Sequence, residues 1–132
     1  VSLEFFLEAD SGLTLPILEQ VLIKAGAEEI WWEEGLLKAY FTSGISVCAE
    51  ERSKDFTIYA EDAKGMDFRV AVFCNFRMKG PEPEGYSSMD DLDKVAQGIA
   101  QACSAFFVIS FQFETTMYWR DAAGLHGQST QS

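Results

Sequence analysis

The groups in this 132-residue chain that could do chemistry are 21 carboxylates, one histidine and three cysteines. Several carboxylates come in adjacent pairs: Glu28-Glu29, Glu33-Glu34, Glu50-Glu51, Glu61-Asp62 and Asp90-Asp91. Converging carboxylates bind divalent cations, and two of them across a cleft hydrolyse glycosides. Adjacent residues on a strand point to opposite faces, so each pair offers at most one carboxylate per face. Asp90, Asp91 and Asp93 crowd the start of a helix-patterned segment, where acids offset the positive helix end. His126 lies in a polar Gly/Ser-rich tail with no acid partner evident in the sequence, and a nucleophile–base arrangement needs one. Gly26, Gly35, Gly44, Gly65 and Gly80 are scattered turn residues and build no phosphate loop. Cys48, Cys74 and Cys103 are widely spaced, with no CxxC or Cys/His cluster, and are expected to be buried free thiols. These residues predict no enzyme, no cofactor and no metal site.

Aromatic rings among acids point instead to binding. Trp31 and Trp32 sit inside EEIWWEE, and strand alternation lets only one of them face a core. The other is expected on an open face near Tyr40 and Tyr59, or under a helix. A ring surrounded by carboxylates suits a basic protein surface, because the ring anchors and the acids steer. The expected contact residues are Trp32, Glu33, Glu34, Tyr40, Tyr59, Glu61 and Asp62. The competing reading makes both rings structural and leaves the acids as solvated strand ends.

Charge favours the same class of partner. Ten Lys and Arg against 21 Asp and Glu give −11, divided as −8 over residues 1–66 and −3 over 67–132. Such a field repels nucleic acid and anionic lipid and attracts basic partners, although solubility alone also selects for it. The free thiols and the lack of a basic n-region in VSLEFFLEADSG predict a reducing, cytoplasmic setting, with no membrane and no nucleic acid as partner.

The elements that must position these residues are legible from periodicity. Leu3 to Asp10 reads as a strand, with Phe5 and Leu7 on one face and Phe6 and Glu8 on the other. Leu15, Leu18, Leu22 and Ala25, with Val21 beside them, form a helical stripe between Thr14 as N-cap and Gly26 at C′. Five strands follow, EEIWWEE, LLKAYFT, ISVCAEE, DFTIYAED and DFRVAVFCNFRM, broken by Gly35, Ser43-Gly44 and two polar turns. After the Pro/Gly-rich loop KGPEPEGYSS, Ser88 to Asp91 has the form of a cap, and Leu92, Val95, Ala96, Ile99 and Cys103 mark a second helix. Ala105 to Trp119 reads as a long strand or hairpin. The expected fold is α+β: a two-layer sandwich of a mostly antiparallel sheet, about six or seven strands, and two main helices. Residues 1–121 form one domain, and residues 122–132 are expected to fray.

A small, strongly acidic α/β chain that opens on a strand resembles the immunity proteins of bacterial polymorphic toxin systems, of contact-dependent growth inhibition or Rhs type. FFLEADSGLTLPILEQVLIKAG and VISFQFETTMYWRD carry that resemblance. It implies a monomer or weak dimer that binds and neutralises one cognate secreted toxin domain with a basic surface, often a nuclease. No functional residue transfers with it, because the likeness is of style and not of matched positions. Two other classes compete: an acidic type III secretion-type chaperone binding an effector segment, and a small-molecule-binding regulatory domain. Chaperones of that kind typically open with a helix and dimerise.

Overall fold

A computed structural model describes residues 2–127. The strands are β1 (Ser2–Ala9), β2 (Glu29–Glu33), β3 (Leu36–Tyr40), β4 (Ile45–Glu51), β5 (Val72–Lys79), β6 (Phe107–Phe111), β7 (Thr115–Asp121) and β8 (Gly124–Gly127), and the helices are α1 (Leu15–Lys24) and α2 (Ser88–Ala102). The fold is α+β, as expected, but among the described residues its single sheet has eight strands and not six or seven, in the order β2-β3-β4-β5-β1-β6-β7-β8. Every pairing is antiparallel.

Both helices cover one face. Thr14 caps α1 by accepting from the Ile17 N–H, and Gly26 turns the chain out of it at φ 100°. Its buried stripe of Leu15, Leu18, Val21 and Leu22 meets Leu7, Leu37, Ala39, Val47, Cys74 and Phe76 in one core. The cap of α2 is Ser87 and not Ser88: the Ser87 hydroxyl accepts from the Asp90 N–H, while Ser88 is buried and held by Glu82. At Gly98 of α2 an added Cβ would lie 2.9 Å from Val21 Cγ1, so the glycine lets the two helices approach closely.

Three expectations need correction. DFTIYAED is not a strand. Residues 52–71 leave β4, cross the sheet face opposite the helices, and return to β5 with only scattered backbone bonds, such as Val70 N–H to Phe56 C=O at 2.9 Å. Phe56, Ile58 and Ala60 still alternate with exposed Thr57 and Tyr59, because an extended chain lying on a surface alternates with or without a ladder. The expected domain limit at 121 falls inside the sheet, because β8 pairs with β7 from Tyr118↔Gly127 to Asp121↔Gly124; the rest of the predicted fraying tail, 128–132, lies outside the described residues. Of the three thiols only Cys74 is buried, whereas Cys48 and Cys103 are half-buried.

Candidate protein-docking surface

The sheet register sorts the side chains of the β2–β3 hairpin. Ile30 and Trp32 pair with Ala39 and Leu37 on the helix side, while Trp31 pairs with Lys38 on the other. The hairpin turns through Glu34 at φ 53° and Gly35 at φ 80°, the left-handed pair that a tight two-residue turn requires. Glu34 is thereby placed at an exposed tip. Both tryptophans remain exposed, Trp31 at 41% and Trp32 at 46%, on β2, the edge strand of the sheet. Trp32 faces the helices without entering the core, and its Nε1 donates to Glu19 Oε2 of α1 at 3.0 Å. Trp31 Nε1 donates to Glu33 Oε1 at 3.4 Å.

Beside Trp31 the bare part of the sheet forms a shallow trough of about 340 Å³. Ser46 and Cys48 on β4 are its small floor; Trp31, Lys38 and Tyr40 stand on one side, Asn75 and Arg77 on the other. Asn75 donates to Glu4 at 2.9 Å but leaves its Oδ1 buried without a partner. Arg77 donates to the Ser2 hydroxyl and forms no ion pair among the described residues.

The other half of this face is covered by residues 52–71. Glu8, buried to 1% exposure, accepts from the Tyr59 and Ala60 N–H groups at 2.6 and 3.1 Å. Burial pushes its carboxyl pKa up, and the two N–H donors and the nearby Arg52 oppose that. Phe113 stacks on Phe6 at 4.1 Å, and the Glu61 N–H donates to the Phe113 carbonyl, pinning the crossing segment to the β6–β7 turn.

The expected contact residues therefore do not form one patch. Glu33, Glu34, Tyr40 and Trp32 gather around the β2–β3 hairpin, with Trp32 on the opposite face from Glu33 and Tyr40. Tyr59, Glu61 and Asp62 ride on the crossing segment. Tyr59 lies over Glu8 of β1, four strand positions from β2, or roughly 19 Å. The acids also differ in how free they are. Lys38 bonds Glu33 at 3.3 Å and holds its pKa low, and Lys64 does the same to Asp62 at 3.0 Å. Glu34 and Glu61 form no ion pair among the described residues. Tyr59 donates its hydroxyl to Asp55, which raises the phenol pKa and lowers that of the carboxyl.

Sequence reasoning passed over Trp31, which shares the open face with Tyr40, and Glu19 and Glu29, which complete the acidic setting of β2. Trp31 could have been chosen from alternation alone, since it falls on the face of Lys38 and Tyr40. Glu19 could not, because only helix packing brings it to Trp32.

His126 does have an acid partner. Its Nε2 lies 2.9 Å from Asp121 Oδ1, because β8 folds back along β7, and its ring stacks on Trp119. Among the described residues it bonds no hydroxyl or thiol, the nucleophile that a triad requires. No group of three or more His, Cys, Asp or Glu side chains converges there either. No described helix is long and apolar enough to cross a membrane. No protein-family model, curated protein or solved structure matches the chain.

Proposed function

We propose that this chain is an immunity protein, a cytoplasmic monomer or weak dimer that binds and neutralises a cognate secreted toxin domain, a nuclease, through its acidic, aromatic-bearing β2–β3 hairpin. The observation that carries this reading is the pair of exposed tryptophans on an edge strand surrounded by Glu19, Glu28, Glu29, Glu33 and Glu34, in a chain of net charge −11. Exposed large rings anchor protein interfaces, and excess negative charge speeds encounter with a basic partner. The partner's site is expected to be basic because toxins that act on nucleic acid must hold phosphates.

The test is genetic. Where a large secreted protein is encoded beside this chain, its C-terminal domain is expressed in cells with and without the chain. Growth restored only when the chain is present is the expected result. Growth arrest that persists under excess chain overturns the reading.

The trough favours a second reading, a small-molecule-binding regulatory domain. Trp31 and Tyr40 offer ring faces there, and Lys38 and Arg77 offer cations for an anionic ligand. Thermal stabilisation by an aromatic carboxylate, lost in Arg77→Ala, would support it.

A further inference from the structure

β2 ends the sheet, and its outer backbone has no strand neighbour among the described residues. Alternate residues of such a strand direct unpaired N–H and C=O groups outward, a template for one more strand. Proteins guard these edges with brevity, bulges or charge. The opposite edge among the described residues, β8, is four residues long, the brevity of a guarded edge. β2 carries charge at Glu28, Glu29, Glu33 and Glu34, yet its centre holds two of the chain's three tryptophans, one exposed on each face. Protection alone gives no reason for those rings. Each indole is already oriented by a carboxylate, Trp31 by Glu33 and Trp32 by Glu19, so little side-chain freedom remains to be lost on docking.

We propose that β2 docks an extended basic segment of the partner protein as an added strand. Trp31 and Trp32 pack against its two faces, and the flanking glutamates pair with its lysines or arginines. Backbone bonds give such a contact its affinity, and alternate side chains give it selectivity. The contact spans the five residues of β2, about 17 Å. A second copy of this chain is a poor occupant. An antiparallel β2–β2 pair centred on Trp31 sets Glu29 opposite Glu33 twice, and like charges directly opposed are destabilising. The inference rests on the protein-binding reading above and names its mode.

The experiment uses the full chain and two synthetic heptapeptides, one alternating lysine with valine and the other glutamate with valine. Amide hydrogen exchange is followed residue by residue by NMR, with the peptide at about 1 mM, because an isolated strand binds weakly. The lysine peptide is expected to slow exchange of the outward amides within 29–33 by about tenfold. The glutamate peptide is expected to leave them unchanged. The protection should fall in Trp31→Ala, in Trp32→Ala, and in the charge reversal Glu29→Lys with Glu33→Lys, which keeps both rings should either alanine variant unfold. Absence of protection, protection located elsewhere, or equal protection by both peptides overturns the inference. No toxin is present in this experiment, so its failure leaves any growth rescue standing. Failure of growth rescue likewise leaves a positive peptide result standing and removes only the toxin assignment.

Discussion

Glu8 is tied to fold, cover and pH at once. Its carboxylate is buried beneath residues 52–71 and receives two of their N–H groups. Burial is the largest influence, so the pKa lies above its ordinary value of 4.5, and the folded chain holds the proton more tightly than the unfolded one. By linkage, stability from Glu8 is fully present below the unfolded pKa and is lost as pH rises through the folded pKa. Glu8→Gln cannot titrate. Wild type's advantage over it, read from urea midpoints, is therefore expected to shrink as pH goes from about 4.5 to about 7.5. Carboxylates of lowered pKa, such as exposed Glu33 and Asp62 and half-buried Asp121, act in the opposite direction but are common to both proteins and cancel in the difference. A gap that widens with pH would contradict the account. Thiol chemistry gives a second prediction at this scale. Burial raises the Cys74 pKa well above the thiol range, while Cys48 lies on the trough floor. A disulfide reagent at pH 8 should modify Cys48 in the folded chain and reach Cys74 only on unfolding, as peptide mapping would show. The sequence placed Glu8 opposite Leu7 correctly, but nothing local foretold that a segment fifty residues later would cover it.

At the scale of elements, what was legible is what periodicity and caps encode. Both helices, their stripes, Thr14 and Gly26 follow from short-range rules. The same holds for β2 to β4 and for the inward set of Leu37, Ala39 and Phe41. The misread elements failed for physical reasons. Residues 55–62 alternate because they pack on a sheet, not because they belong to one. Ala105 to Trp119, read as a long strand or a hairpin, is the hairpin; its turn had no sequence mark because it passes through Gln112 and Phe113, at φ 53° and 65°, with no glycine. A left-handed Phe costs about 1–3 kcal/mol, and stacking of that ring on Phe6 offsets it. Glycine positions that look equivalent in sequence also separate here. Gly44 has φ 111°, and an added Cβ would sit 2.8 Å from the Lys79 carbonyl oxygen, whereas Gly35 at φ 80° meets nothing within 4 Å. Gly35→Ala should cost about 1 kcal/mol, from the left-handed backbone alone. Gly44→Ala should cost roughly 2–4 kcal/mol, since main chain must also move. Equal denaturation midpoints for the two variants would refute that difference.

Over the whole molecule the excess of acids sets the behaviour. Self-repulsion at −11 predicts that added salt raises the melting temperature, while association with a basic partner weakens as the Debye length falls. Reversing Glu33 and Glu34 to lysine removes two negative charges from the hairpin and adds two positive ones. It should leave the melting temperature within a few degrees, as usual for exposed positions, and weaken partner binding by about tenfold or more. Calorimetry of the folded variant checks both, and unchanged affinity would move the interface away from β2–β3. The seven residues singled out by composition show where a one-dimensional reading stops. Trp32, Glu33, Glu34 and Tyr40 are close in the chain and stay close in space, although on two faces. Tyr59, Glu61 and Asp62 belong to a segment that covers the other half of the open face, several strands away.

Composition, alternation and capping by themselves determined the class of fold, most of its elements, the inward face of each and the sign of the field around the molecule. These depend on residue types and on neighbours a few positions apart. The tertiary structure alone decided that β2 is an edge, that Glu19 reaches Trp32, that Glu8 is sealed, and that His126 meets Asp121. The His126 contact needs the β7–β8 hairpin to close; the other three depend on strand order and helix placement, which bring together residues far apart in the chain and are set by the whole core packing at once.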